Sequence, residues 1–291
     1  MFVKLLITGL SIGSVYSLMG IGYSLLYKSS GQMSFVQGDL LTLGAFLGYT
    51  FCKLLNLPFW AAILLTMLVA FLVGFLIERG IIRKLTRKKV SGIYLILATI
   101  ALSYIIQTGA QAIWGSITLY YPSLFKKATV KILGAKLMPE YLLCFGVSAV
   151  CMLILHYFMN RTSLGTKMRA ASMDAAAAES CGIDVSLMTG LSWAIAAGLS
   201  AVGGALVGPM YGVYTTLGGS IGKKGFAGAV MGGYGHIYGA MIGGLLLGVT
   251  ETLVASYVSS SYKNMISYVI LLLFLFIKPT GIFNEKAIQD V

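Results

Sequence analysis

The stretch PFWAAILLTMLVAFLVGFLIE, residues 58–78, decides the fold class of this chain. Its only charged residue is Glu78 at the end, and a helix of about 20 apolar residues is long enough to cross a bilayer core of about 30 Å. A dense basic run, RGIIRKLTRKK at residues 79–89, follows at once. Such a pattern is typical of a membrane-spanning helix that ends at a charged loop.

Similar apolar segments recur along the whole chain. They predict an all-α, polytopic integral membrane protein with eight transmembrane helices, or nine if the Gly-rich stretch at 212–236 also crosses. That stretch is too interrupted to assign by hydropathy and is expected to be broken or re-entrant. The predicted spans lie near residues 4–26, 34–54, 58–78, 92–114, 139–158, 187–211, 237–257 and 262–278.

Composition agrees with this fold class. Hydrophobic residues make up 58% of the chain and charged residues 10%, against about 25% charged in soluble domains. The net charge of +12 would suggest nucleic acid as a partner in a soluble protein. Here the charges sit in short loops between apolar spans, so they indicate membrane orientation and no nucleic-acid partner.

The distribution of Lys and Arg predicts which loops face the cytoplasm. The loop at 79–89 is the most basic, and the loop at 159–186 returns to the same side. The loop at 115–138 is then outside, although it carries Lys126, Lys127, Lys131 and Lys136. By counting back, the N-terminus lies outside as the start of a first span rather than a removed signal peptide. The C-terminus, with Lys278 and Lys286, is expected inside.

No catalytic, metal-binding or cofactor motif is present in the sequence. His156 and His236 lie outside any HExxH setting, and the four cysteines show no metal-ligand spacing. The nearest approach to a phosphate-binding loop is Gly222-Lys223, where Leu217 replaces the first Gly and Lys224 replaces the hydroxyl residue. We therefore expect no enzyme activity, and the chain cannot drive itself with ATP.

Pairs of glycines four residues apart are frequent. For any single pair, close helix packing is the favoured interpretation. The cluster from Gly203 to Gly248 is different, because helices so rich in Gly can part, break or turn backbone carbonyls toward a cavity. The pairs are Gly9/Gly13, Gly44/Gly48, Gly204/Gly208, Gly228/Gly232, Gly235/Gly239, Gly239/Gly243 and Gly244/Gly248.

Two acidic residues fall inside predicted spans, where a charge is costly and indicates a site or a partner. Asp39 follows Gly38 at the start of a span, which favours either a first-turn position, where the helix dipole stabilises an acid, or a place on a solute path. Glu251 lies deep in the apolar run 241–258, so it needs a partner, water or an interface.

The loop segment LGTKMRAASMDAAAAESCG, residues 164–182, predicts a short cytoplasmic helix over 166–181. Ala175 to Ala178 favour helix, and Gly182 suits the position just past its end. Its small residues leave a face that fits a partner's groove, with Arg169, Asp174 and Glu179 at the rim. A solvated connector is the alternative that composition leaves open.

Four stretches resemble the branched-chain amino acid ABC permease family, specifically its H-type subunit, over nearly the whole chain. They are GLSIGSVYSLMGIGYSLLY (9–27), SFVQGDLLTLGAF (34–46), RTSLGTKMRAASMDAAAAESCGID (161–184), and GALVGPMYGVY (204–214) with GKKGFAGAVMGGYGHIYGAMIGGLLLGVTE (222–251). The outer loop with Tyr120 and Tyr121 is not a feature of that pattern.

The resemblance implies a single permease domain, residues 1–291, in a cell inner membrane, with a coupling loop at 161–184. It also implies a related M-type permease subunit, two cytoplasmic ATPases that use ATP and Mg, an extracytoplasmic solute-binding protein, and alternating access driven from the coupling loop. The expected ATPase-coupling residues are Arg161, Gly165, Arg169, Asp174, Ala178, Glu179 and Gly182. The expected solute-path residues are Gln37, Gly38, Asp39, Thr42, Gly232, Gly233 and Glu251.

The same sequence features fit other functions. The same machine could carry another solute, such as urea, a short amide, an aromatic amino acid or a sugar. A stand-alone secondary transporter or channel is a different class, and the absence of ion-coupling acid clusters argues against it. An intramembrane enzyme is the weakest alternative, for want of a catalytic pair.

Overall fold

The computed structural model describes residues 2–31, 33–88, 90–122, 129–132, 135–278 and 280–283, which are almost entirely helical. Strands β1 (Val130–Ile132) and β2 (Ala135–Leu137) form one small antiparallel hairpin. The helices are α1 (Phe2–Ser30), α2 (Gln37–Tyr49, continued by a π turn, Thr50–Leu54), α3 (Phe59–Ile77, continued by a π turn, Glu78–Ile82), α4 (Arg83–Arg87), α5 (Gly92–Trp114), α6 (Pro139–Arg161), α7 (Ser163–Met173), α8 (Ala175–Ser180), α9 (Val185–Tyr211), α10 (Leu217–Gly232), α11 (Ile237–Tyr257) and α12 (Lys263–Ile277).

Within the described residues, seven helices are long and apolar enough to cross a membrane, and they coincide with seven of the eight predicted spans. The other predicted span, 34–54, is helical only from Gln37, and Gln37, Asp39 and Lys53 dilute its apolar run. The seven are Phe2–Ser30, Phe59–Arg87, Gly92–Trp114, Pro139–Arg161, Val185–Tyr211, Ile237–Tyr257 and Ser260–Ile277.

Helices α1 and α9 form the centre of the fold. In their most apolar windows 72% and 89% of residues are buried, against 6% for the last span. Helix α1 packs along α11 and helix α9 along α2 and α3. A Cβ atom on Gly44 would lie 2.6 Å from Ala201 Cβ, so α2 approaches α9 more closely than any side chain allows. The predicted packing role of the glycine pairs is thus confirmed here.

Helix α9 defines two ends of the molecule. At its start, Ser186 O accepts a hydrogen bond of 2.8 Å from Arg83 Nη2, so the loop at 79–89 and the segment 161–184 lie together at what we call the basic end. Just past its other end, Val213 forms a β-bridge with Leu119. The loop at 115–138 therefore starts at the opposite end. The fold thus separates this loop from the basic loop at 79–89 and the segment 161–184, as predicted.

Tyr121 anchors that opposite end. Its ring packs on Gly208 and its hydroxyl donates a 2.9 Å hydrogen bond to Ala45 O. Burial raises the pKa of the Tyr121 phenol well above its usual value, so the hydroxyl stays protonated and remains a donor. The loop lysines Lys126 and Lys127 lie outside the described residues.

The Gly-rich stretch at 212–236 is interrupted at its two ends, while the helix between them is continuous. Helix α9 ends at Tyr211 and α10 runs alone from Leu217 to Gly232. Gly233 has a φ of 113°, a backbone conformation that glycine adopts far more readily than other residues, and the chain turns there toward α11. Two sharp interruptions therefore separate α10 from the long helices on either side.

Candidate solute path and coupling surface

The first candidate residue, Gln37, starts α2 and is fully buried. Its Nε2 donates to Ala196 O at 2.7 Å and to the Ser200 hydroxyl. Both acceptors lie near the midpoint of the 27-residue helix α9. Helix α2 therefore begins about halfway along α9 rather than at one end of the molecule.

Gly38, Asp39 and Thr42 tie the same helix to two others. A Cβ atom on Gly38 would lie 2.7 Å from Gly218 O, and Thr42 Oγ1 accepts a 2.9 Å hydrogen bond from Gly218 N–H. Asp39 lies in the first turn of α2, as expected, and accepts a hydrogen bond from the Ser103 hydroxyl of α5. These residues are buried in helix contacts, so they position α10 and α5 against α2.

Gly232 and Gly233 lie at the end of α10. The backbone of α10 at Gly232 touches that of α11 at Gly239, with no room for a side chain at either glycine. The returning chain also meets this point, because Phe283 N–H donates to Gly232 O at 3.2 Å. The junction joins α10, α11 and the end of the described chain in one backbone contact.

Glu251 has the partner that its position requires. Its Oε1 lies 2.6 Å from Lys224 Nζ of α10 and 3.1 Å from Lys263 Nζ at the start of α12. Glu251 is 1% exposed and Lys224 7%. The sequence motifs did not identify either lysine as this partner. The available signal was a lysine inside an apolar, Gly-rich stretch, but nothing in the spacing specified the pairing.

A second missed feature lies at the basic end. His156 and Tyr238 belong to α6 and α11, and the Tyr238 hydroxyl lies 2.9 Å from His156 Nδ1. Asn160 Nδ2 donates to the same hydroxyl at 2.7 Å, and Asn160 Oδ1 accepts a hydrogen bond from Arg169 Nη1 at 3.3 Å. Arg169, a candidate coupling residue, is therefore connected through α6 to the start of α11.

The single helix predicted over 166–181 is wrong. The chain forms α7 and α8 with a break at Asp174, where φ is −152° and the backbone is extended. The reason is capping, because Asp174 Oδ1 accepts a 2.9 Å hydrogen bond from Ala177 N–H. An aspartate at the position before a helix starts a new helix instead of extending the old one.

The ends of this two-helix segment are well defined. A Cβ atom on Gly165 would lie 2.7 Å from Met159 Cα, so α7 packs directly on the end of α6. Gly182 ends α8 as predicted, with φ of 76°, while Ile183 N–H donates to Ala178 O at 3.0 Å. Ala178 is the buried residue of α8.

The outer face of α7 and α8 is exposed and mixed in character. Met173 is 85% exposed, an unusual position for an apolar side chain. We call the exposed residues of this segment the coupling surface; they are Arg161, Ser163, Leu164, Thr166, Lys167, Arg169, Met173, Asp174, Ala175, Ala176, Ala177, Glu179, Ser180, Cys181 and Gly182. Across the part of the chain that the structure describes, no cluster of three His, Cys, Asp or Glu could hold a metal ion.

Long apolar helices, charges buried between them and an exposed helical surface at one end define a multi-pass membrane protein of the transport class. The chain belongs to the family described as branched-chain amino acid transport system, permease component, which matches residues 5–275. The family resemblance noted in the sequence is confirmed, and with it a location in the inner membrane.

Individual relatives agree along the full length. The chain is 30% identical to the high-affinity branched-chain amino acid transport system permease protein LivH of Salmonella typhimurium, covering 100% of this chain and 98% of that protein. It is 31% identical, with the same coverage, to the permease protein BraD of Pseudomonas aeruginosa. A probable LivH of Methanocaldococcus jannaschii is 27% identical over 96% of this chain.

Proposed function

We propose that this chain is the permease subunit of an ABC importer and translocates branched-chain amino acids by ATP-driven alternating access. The observation that carries the proposal is the full-length similarity to proteins named as branched-chain amino acid permeases. The sequence carries no ATP-binding loop of its own, so the energy has to come from attached ATPases.

We also propose that α2 and α10 cross the membrane with the seven long helices, which makes nine crossing segments. Helix α2 runs from Gln37, which contacts the middle of α9, toward the end where the Tyr121 hydroxyl binds the Ala45 carbonyl. Helix α10 leads from the Val213 bridge back to His236, which stacks on Phe283. Nine segments account for an N-terminus and a C-terminus on opposite sides, with the C-terminus at the basic, cytoplasmic end.

The coupling surface is proposed as the ATPase docking site. Its small and apolar exposed side chains suit a partner's groove, and Arg169, Asp174 and Glu179 supply polar rim contacts. Movement of α7 would reach α11 through Arg169, Asn160 and Tyr238, and α11 touches α10 at Gly232 and Gly239. This chain of contacts supports coupling between the docking site and α10.

We propose that the solute-path residues mainly fix the positions of the helices around the path, and that only some of them line it. Gln37, Gly38, Asp39 and Thr42 hold α2 against α9, α5 and α10. Gly232 and Gly233 provide the backbone junction at which α10 can swing relative to α11. Glu251 holds the other half of α10 through Lys224.

The proposed complex contains a related M-type permease subunit, two ATPases with ATP and Mg, and a solute-binding protein at the end opposite the coupling surface. Co-expression with candidate partners, affinity purification through this chain and uptake of labelled leucine into proteoliposomes test the assignment. ATP-dependent uptake by the assembled complex is expected. Gradient-driven uptake by this chain alone would identify a secondary transporter instead, and uptake of urea or a sugar in place of leucine would change the solute.

A further inference from the structure

The buried ion cluster carries an excess of positive charge. Among the residues that the structure describes, Glu251 is its only acid, and Lys224 and Lys263 both bind one oxygen of that carboxylate. One carboxylate neutralises one ammonium, so the three side chains together carry one positive charge. Water screens charge poorly inside a membrane protein, and an excess buried charge there favours binding of an ion of opposite sign.

The two lysines differ in exposure. The Lys224 side chain is 9% exposed and its Nζ also lies 5.8 Å from the centre of the Tyr16 ring. The Lys263 side chain is 28% exposed. Lys263 Nζ forms an ion pair with Glu251 Oε1 at 3.1 Å, and an ammonium group has three N–H donors, so it can contact a second anionic group as well. Lys263 is therefore the better placed of the two to receive an anion.

A cavity of about 300 Å³ lies against this cluster, and we call it the lysine cavity. Small-molecule sites occupy about 300–1,000 Å³, so the volume suits a small solute. Polar groups at its wall include Tyr16, Tyr214 and Asn264 beside the two lysines. The rest of the wall is largely aliphatic and includes Ile12, Val207 and Leu217. The lining therefore combines ammonium groups, which suit an anionic group, with aliphatic side chains, which suit a hydrocarbon group.

We propose that the lysine cavity is a transit site for an aliphatic amino acid, whose carboxylate binds Lys263 and whose branched side chain lies against the aliphatic wall. This inference rests on the proposed function and adds a named binding site to it. Glu251 limits the cluster to one positive charge. A zwitterion adds no net charge, so the occupied site carries the same single positive charge as the empty one.

The lining tyrosines suit the other charge of the amino acid. Tyr16, Tyr211 and Tyr214 all line the lysine cavity, and aromatic rings attract ammonium groups through their electron-rich faces. A zwitterion with an aliphatic side chain therefore matches three features of one cavity. A carboxylate without an ammonium matches two of them and serves as a stringent competitor.

The direct test is photolabelling of the purified transporter complex in lipid nanodiscs with a diazirine analogue of leucine, followed by mass spectrometry. Labelling is expected on peptides that contain Tyr16 or Tyr211 to Tyr214. Leucine should abolish it and leucinol, which lacks the carboxylate, should not. Absence of label at saturating probe would overturn the site, and equal competition by 4-methylpentanoate would overturn its assignment to an amino acid.

Matched variants assign the carboxylate contact. Lys263→Gln should reduce labelling at least about tenfold, because a hydrogen bond to a charged group contributes roughly that much to binding. Lys263→Arg keeps the charge and should retain the label, and Lys4→Gln, at the exposed start of α1, should match the wild type. Glu251 keeps Lys224 as its partner in Lys263→Gln, which protects the fold. Unchanged labelling in Lys263→Gln would exclude the proposed contact.

Transport separates this inference from the proposed function. If the wild-type complex assembles but takes up no leucine, the proposed function fails. If the wild type takes up leucine and Lys263→Gln does so at the same rate, the function stands and the lysine cavity is excluded as a transit site. The expected result is normal assembly and ATP hydrolysis in Lys263→Gln with at least about tenfold slower uptake.

Discussion

Thr42 of α2 accepts a hydrogen bond of 2.9 Å from the backbone N–H of Gly218, in the first turn of α10. The first N–H groups of a helix have no partner inside the helix, so a side chain of another helix supplies one here. Both residues are buried. The start of α10 is thus fixed by α2, which is itself fixed to the middle of α9 by Gln37.

Thr42→Val tests this cap. Valine has nearly the same shape but no acceptor, so the Gly218 N–H would remain buried without a partner at a cost of about 1–3 kcal/mol. We expect a lower thermal midpoint for the detergent-solubilised protein, followed by size-exclusion chromatography after heating. Thr42→Ser retains the hydroxyl and should stay close to the wild type. Equal midpoints for the Val and Ser variants would show that the hydrogen bond does not stabilise the fold.

Gly44→Ala tests the close approach of α2 to α9. The added Cβ would lie 2.6 Å from Ala201 Cβ, so the helices must separate, and overpacking of this kind costs about 1–3 kcal/mol. The matched control is Gly109→Ala in α5, where no atom lies within 4 Å of the new Cβ. We expect a reduced yield of folded protein and a lower thermal midpoint for Gly44→Ala alone. The packing argument fails if both variants behave alike.

The sequence predicts the long helices well, because crossing a bilayer requires a length and a composition that few other segments share. It also predicts Gly182 at a helix end, and a first-turn position is one of its two interpretations of Asp39, since both depend on neighbours in the chain. It misses the pairing of Glu251 with Lys224 and Lys263, and that of Thr42 with Gly218, because these depend on which helices pack together. The sequence contained the signal for the break at Asp174, since an Asp followed by a run of Ala is a helix-start pattern.

Asp174→Ala tests that break. Loss of the side-chain cap should destabilise α8 by about 1 kcal/mol, which corresponds to roughly fivefold faster amide exchange at Ala177 and Ala178. Hydrogen exchange with mass spectrometry on the 175–180 peptide measures it directly. Asp174→Asn retains an acceptor oxygen and should exchange like the wild type. The docking proposal further predicts that Asp174→Ala weakens copurification of the ATPase. Amide exchange as slow in Asp174→Ala as in the wild type would show that the cap is dispensable.

Arg169→Glu tests transmission from the coupling surface to the pore. The substitution removes the donor to Asn160 Oδ1 and sets a carboxylate against that oxygen, so α7 loses its polar connection to α6 and Tyr238. We expect normal insertion and retained ATP hydrolysis in the complex, with leucine uptake per ATP reduced at least about tenfold. Lys84→Glu reverses an exposed charge at the same basic end but outside the coupling surface, and is the matched control, since a general change in surface charge would affect both variants. Asn160→Ala should reproduce the uncoupling, and adding Arg169→Glu to it should have little further effect, because both changes break one connection. Additive losses in the double variant would mean that Arg169 acts through the ATPase surface and not through α11.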